Sequence, residues 1–130
     1  MKLRPMTMEY ADKMLEWKNY PETRKFAIVS HEEIKREDHI KWLEKNIQDF
    51  STIFTQYKVC GAVRVCDNEI SIWIDRDFWG QGLATKVIKK VSYHGLQAKI
   101  VKENIASMKV FIKAGYVPIK DCGAYYLFQC

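Results

Sequence analysis

The sequence predicts an α/β fold of seven strands and four helices, in the order β-α-α-β-β-β-α-β-α-β-β. Three observations carry this. Residues 51–58, 59–65 and 69–74 are successive runs rich in β-branched and aromatic side chains, and Asp67-Asn68 between the last two suits a hairpin turn. The third run feeds through a short charged turn, 75–77, into FWGQGLATKVIKK, where Val87, Ile88 and Val91 recur at helical spacing. Apolar stripes of helical period also stand on both sides of the meander.

In chain order, Lys2 to Pro5 reads as a short edge strand ended by the proline. Thr7 is placed to cap a first helix with the stripe Tyr10, Met14, Leu15 and Trp17, and the chain turns at Asn19-Tyr20-Pro21. After the short apolar segment 26–29, Ser30 and Glu33 have the spacing of a capping box. The second helix that follows carries Ile34, Ile40, Trp42, Leu43 and Ile47. The meander, the glycine-containing turn and the third helix come next. Residues 98–101 then read as a short buried strand, 104–114 as a fourth helix stopped by Gly115, and 116–120 with 124–129 as a final strand pair.

At 130 residues the chain is one domain, 1–130, too small for a separate second function. Hydrophobic residues at 48% and charged residues at 28% are ordinary globular values, and no apolar run is long enough to span a bilayer. The start, MKLRPMTMEY, lacks the apolar core of a secretory signal, so a soluble cytoplasmic protein without membrane contact is expected. Cys60, Cys66, Cys122 and Cys130 form no CxxC pair and have no histidine at zinc-ligand spacing, so neither metal nor redox chemistry is expected. The net charge of +5 is spread among acidic residues without a basic block, which argues against nucleic acid and suits a small polyphosphate ligand.

That ligand has a natural seat. Gly80 and Gly82 can adopt left-handed dihedrals and let the backbone approach closely, while free N–H groups and the dipole at a helix start favour an anion. The spacing fits neither the P-loop nor the GxGxxG fingerprint, and a tight turn without ligand is the alternative. Trp79-Gly80-Gln81-Gly82-Leu83-Ala84 resembles the acetyl-CoA loop of the GNAT superfamily of N-acetyltransferases, with Trp79 at the usual Arg/Gln position. Asn104 to Tyr116, NIASMKVFIKAGY, is similar to the second segment of that family, and the likeness covers nearly the whole chain.

The resemblance implies a central, mixed but mostly antiparallel sheet of about seven strands flanked by four helices. It implies that the fourth and fifth strands splay apart, that peptide groups of Ile72, Trp73 and Ile74 bind pantetheine as an added strand, and that amides from Gly80 to Thr85 hold the pyrophosphate. Trp79, Gln81, Leu83 and Ala84 would line that loop, with Asn104, Ser107 and Phe111 on the last helix facing the cofactor, acetyl-CoA.

Acetyl transfer to an amine needs a neutral nucleophile and a proton for the departing thiolate. At the positions where many family members carry a glutamate base and a tyrosine acid, this chain has Lys99 and Phe111. Glu69, on one strand face with Ser71, Trp73 and Asp75, and His39, with its near-neutral intrinsic pKa, are the replacement candidates, each also readable as a surface residue. Tyr125 and Tyr126 alternate across the last strand, one of them facing inward.

For the acceptor, Trp17-Lys18-Asn19-Tyr20-Pro21 and His39 resemble the N-terminal half of acetyltransferases that act on nucleotide-linked amino sugars in pseudaminic acid synthesis. There, the resemblance implies, Lys18 and His39 face the nucleotide, and Trp73 stands at an aromatic position. Two alternatives stay open: a protein N-terminal acetyltransferase and a catalytically silent acyl-CoA-binding module. The expected partner is a small amine, and the expected state a monomer or homodimer.

Overall fold

In the computed structural model, which describes all 130 residues, the chain runs through β1 (Lys2–Pro5), α1 (Ala11–Lys18), α2 (Pro21–Lys25) and α3 (Arg36–Asn46). It continues with β2 (Phe50–Thr55), β3 (Lys58–Cys66), β4 (Glu69–Ile74), α4 (Leu83–Val91), β5 (Gln97–Val101), α5 (Ile105–Lys113), β6 (Val117–Asp121) and β7 (Tyr125–Gln129). The seven expected strands are all present, in one sheet of order β1-β2-β3-β4-β5-β7-β6. Every neighbouring pair is antiparallel except β4 with β5.

Helices cover both faces. Ile53, Val63, Ile70, Ala98, Ile100 and Phe128 pack under Val87 and Ile88 of α4 and Phe111 of α5. On the opposite face Phe50 and Ala62 pack under Met14 and Trp17 of α1 and Leu43 of α3, with Trp73 partly buried at the margin. Alternation along β4 therefore sends Ile70, Ile72 and Ile74 to one layer and Trp73 to the other. No helix is long and apolar enough to cross a membrane. The four cysteines are free thiols.

Two local readings need correction. Five helices form, not four, because Pro21 occupies the first turn of the short helix α2, where its missing N–H is harmless. Ser30 and Glu33 make no capping box: α3 begins at Arg36 behind Lys35, and the Ser30 hydroxyl accepts instead from the Glu32 N–H. Between β4 and α4, Asp75 caps a 3-10 turn, Arg76–Phe78, by accepting from the Asp77 N–H at 3.0 Å, and α4 starts at Leu83, just past the glycine-containing turn.

Candidate functional site

The sheet is open at one place. Along β4 and β5 a single register pair forms, Glu69 with Gln97, and the strands part beyond it. Asn68, at φ +61° in the hairpin turn, rivets the closed end: its carbonyl accepts from the Gln97 N–H, its side-chain amide donates to the Gly95 carbonyl, and its side-chain oxygen accepts from the Tyr93 hydroxyl. Lys99 and Glu69 add an ion pair of 3.3 Å across the same junction.

Which peptide groups face the gap follows from pairing with β3. The Asp75 N–H donates to the Cys60 carbonyl, and antiparallel ladders alternate, so Trp73 is hydrogen-bonded to Ala62 while Ile72 and Ile74 turn their peptide groups the other way. The Trp73 peptide is thus turned toward β3, contrary to the expectation that it borders the gap. The Ile74 carbonyl is also taken, by the Trp79 indole N–H at 2.8 Å. What remains open toward the gap is the Ile72 N–H and carbonyl and the Ile74 N–H.

Past β4 the chain reaches the glycine loop. Gly80 and Gly82 lie at φ +77° and +73°, and Gly82 is the N-cap of α4 without any side-chain cap. The N–H groups of Gly80, Gln81, Gly82, Leu83, Ala84 and Thr85 find no acceptor within the chain, and nothing lies within 4 Å of where a Cβ would stand at either glycine. Six successive amides without partners at the start of a helix make a seat for an anion such as a phosphate. Trp79 stands by this loop, its ring edge-on to Tyr20 at 5.9 Å and its outer surface exposed.

On α5, Asn104 caps the helix by accepting from the Ser107 N–H at 3.2 Å, which leaves its NH₂ group free. Phe111 is 4% exposed, with its ring against Tyr116 at 5.0 Å. A ligand-facing role for Phe111 does not fit: it is a core side chain with almost no surface to offer. Of the two tyrosines, Tyr126 packs toward the α4–α5 core, and Tyr125 lies on the Lys99 side.

The second half of the site is the face under α1 and α3, and here side-chain expectations change most. His39 is 1% exposed: its Nε2–H donates to the Ala11 carbonyl at 3.0 Å, Nδ1 has no partner, and burial holds its pKa below the usual imidazole value. A buried, neutral ring that ties α3 to α1 is neither a surface base nor a charged phosphate ligand. Trp17 is fully buried and its indole N–H donates to Asp75. Asn19 clamps the backbone of Ile34 through both ends of its amide. Neither has a free group for an acceptor.

Lys18 and Trp73 remain, joined by residues not singled out as site residues in the sequence. The Lys18 ammonium sits 3.7 Å from the centre of the Trp42 ring and 5.8 Å from that of Trp73. Trp73 stacks on Phe50, and Arg64 lies over both Trp42 and Phe50. Arg64 is matched by Asp49 at 3.3 Å, but Lys18 makes no ion pair, and burial together with Arg64 pushes its pKa down from 10.5 to about 8. Lys18, Ile34, Asp38, His39 and Trp42 line a cavity of about 350 Å³. A larger hollow of about 680 Å³ over Leu15, Asn19 and residues 33–37 has no unpartnered buried group. Trp42 was readable as a helix-stripe residue, but that a cation rests on it depends on the packing of α1 against α3.

Glu69 is half-exposed, with one carboxylate oxygen on Lys99 and the other unengaged. The same contact raises the Lys99 pKa, so Lys99 stays a cation and is not a base.

Comparison with known proteins places the chain. Residues 1–117 match the family described as acetyltransferase (GNAT) domain. A protein of Methanocaldococcus jannaschii described only as uncharacterised is 28% identical over 136 aligned positions, which take in 91% of this chain and 28% of that protein. The chain thus spans little more than a quarter of that relative's length. Among solved structures, a domain from M. jannaschii superposes with a TM-score of 0.77 at 22% identity, covering 99% of this chain and 96% of that one. A spermidine N-acetyltransferase from Vibrio cholerae, in complex with CoA and spermine, superposes with a TM-score of 0.76 at 14% identity, covering 98% and 91%.

Proposed function

The chain belongs to the GNAT acetyltransferase family, and from that premise we propose that it transfers an acetyl group from acetyl-CoA to the primary amine of a nucleotide-linked amino sugar. The observation that carries the cofactor is the continuity of the β4–β5 gap with the loop of free amides. An extended pantetheine arm fits the gap as an added strand on the Ile72 and Ile74 peptide groups, and a pyrophosphate fits the amides of 80–85. The free NH₂ of Asn104 is a further donor near the far wall. Bound there, acetyl-CoA supplies an activated acyl group whose thiolate departs without strong acid assistance.

The residues' own work is positioning and proton handling. Glu69 stands where the strands part, and its unengaged oxygen is the carboxylate available to take the proton lost by the amine, directly or through water. His39 has no part in this. Lys18 supports the acceptor assignment: a half-buried cation without a carboxylate partner calls for an anion, and a diphosphate brings two charges. Trp42 gives the acceptor a flat apolar wall, with Trp73 5.8 Å from the same ammonium.

The test is a substrate panel. A UDP-linked amino sugar should give a kcat/KM at least about tenfold above that of the same sugar without the nucleotide, the order of one charge-assisted hydrogen bond. Equal or faster acetylation of a peptide amine or of spermidine would remove the sugar assignment, and no turnover of any amine would leave an acyl-CoA-binding module.

A further inference from the structure

We infer that Lys18 is itself an acceptor, and that the protein acetylates its own Nζ when the acceptor cavity is empty. This rests on the acetyl-CoA reading above and adds a modification site with a regulatory consequence. Three features single out Lys18 among the lysines. It lines the acceptor cavity, with the charged or titratable side chains of Asp38 and His39 from α3 and of Arg64 from β3 around it. It is half-buried against aromatic rings without an ion pair, whereas every other lysine is exposed except Lys102, which is held by Asp121. It also overlooks Trp73, the residue of β4 flanked by the two whose peptide groups turn toward the gap.

Burial supplies the reactivity. With its pKa near 8, Lys18 holds on the order of a hundredfold more neutral amine at neutral pH than an ordinary lysine. The Trp42 ring attracts the charged form and offsets part of that gain. In the step, the Nζ lone pair forms a C–N bond to the acetyl carbonyl carbon and the C–S bond of the thioester breaks. The ammonium proton thereby freed goes through water to the departing sulfur, so one acetyl-CoA becomes CoA and one neutral acetyl-lysine. The product carries no charge and is longer than lysine, so it both fills the cavity and removes the cation that the acceptor's phosphates need. Transfer to the protein would thus be self-limiting and would be suppressed by bound acceptor.

The experiment incubates the purified chain with acetyl-CoA and no amine, and follows each lysine by peptide mass spectrometry. The expected result is acetylation of Lys18 about tenfold or more ahead of any other lysine, at a rate independent of protein concentration and slowed by excess CoA. Labelling spread evenly over the lysines, or unaffected by CoA, is solution chemistry and overturns the inference. So does an Nζ that titrates in ¹³C NMR at the ordinary lysine value instead of near 8. Lys18→Arg, which keeps the charge, should bind CoA normally and show no dominant site. If CoA binds and an external amine is acetylated while Lys18 stays unmodified, only this inference fails; if CoA does not bind at all, the functional reading fails first.

Discussion

The two halves of the site are built from different materials. On the cofactor side, between β4, β5 and the start of α4, the working groups are backbone: the peptides of Ile72 and Ile74 and six amides from Gly80 to Thr85. On the acceptor side, under α1 and α3, they are side chains, and Trp17, Asn19 and His39 are engaged in tying α1 to Asp75, the chain to Ile34 and α3 to α1. Backbone groups are presented by strand register and glycine dihedrals, which follow from local pattern. Side chains are presented or withdrawn by tertiary packing, which local pattern does not state.

The largest break in the comparison comes from Gly82→Glu. Its carboxylate would stand at the mouth of the amide cradle, and calorimetry should show CoA binding weakened about a hundredfold or more. Gly82→Ala carries only the strain of φ +73°, about 1 kcal/mol of stability, because open space surrounds the missing Cβ. Equal effects of the two would mean that strain, not an anion, is what the glycine serves.

His39→Ala should act on the other half alone. It deletes a buried ring and its bond to Ala11, so chemical denaturation should show a loss of about 2–4 kcal/mol while CoA affinity stays unchanged. Because the folded pKa lies below the unfolded one, the unfolded chain takes up the proton more readily, and the native protein loses stability as pH falls below about 6.5. The variant should lose that part of the acid dependence.

Phe111→Tyr sharpens the question of the missing acid. The ring is packed in the core against Tyr116, so a hydroxyl there is buried, costing about 1–2 kcal/mol of stability, and kcat should change by less than about tenfold. A gain of about a hundredfold would show that an acid had been limiting.

The smallest effect is at Lys18→Met. Between pH 8 and 10.5 the unfolded chain holds a proton that the folded Lys18 has released, so stability rises with pH across that window and is lowest below it. Replacing the amine by a neutral side chain of similar length should therefore raise stability at neutral pH by about 1 kcal/mol, net of the lost contact with Trp42, and flatten the alkaline rise. Acceptor kcat/KM should fall while CoA affinity holds.

The same contrast explains what was legible in the sequence. Strand alternation placed all seven strands, and the strand–glycine–helix pattern located the amide loop, because both are properties of contiguous residues. The separate 3-10 turn Arg76–Phe78 was not legible, because it depends on the Asp75 side chain accepting from the Asp77 N–H. His39, at a position like any amphipathic surface residue, is buried because α3 packs on α1, which brings its Nε2–H to the Ala11 carbonyl at 3.0 Å. Nothing local indicated that the Trp42 ring would carry the Lys18 ammonium, since the two lie on different helices.

Hydrogen exchange with and without CoA tests the account most directly. The Ile72 and Ile74 amides, turned into the gap, and the amides of 80–85 should exchange fast in the free protein and become protected when CoA is added, while the Trp73 amide, already paired with β3, should not change. Protection confined to the α1–α3 face, or no protection at Ile72 and at Gly82, would contradict it.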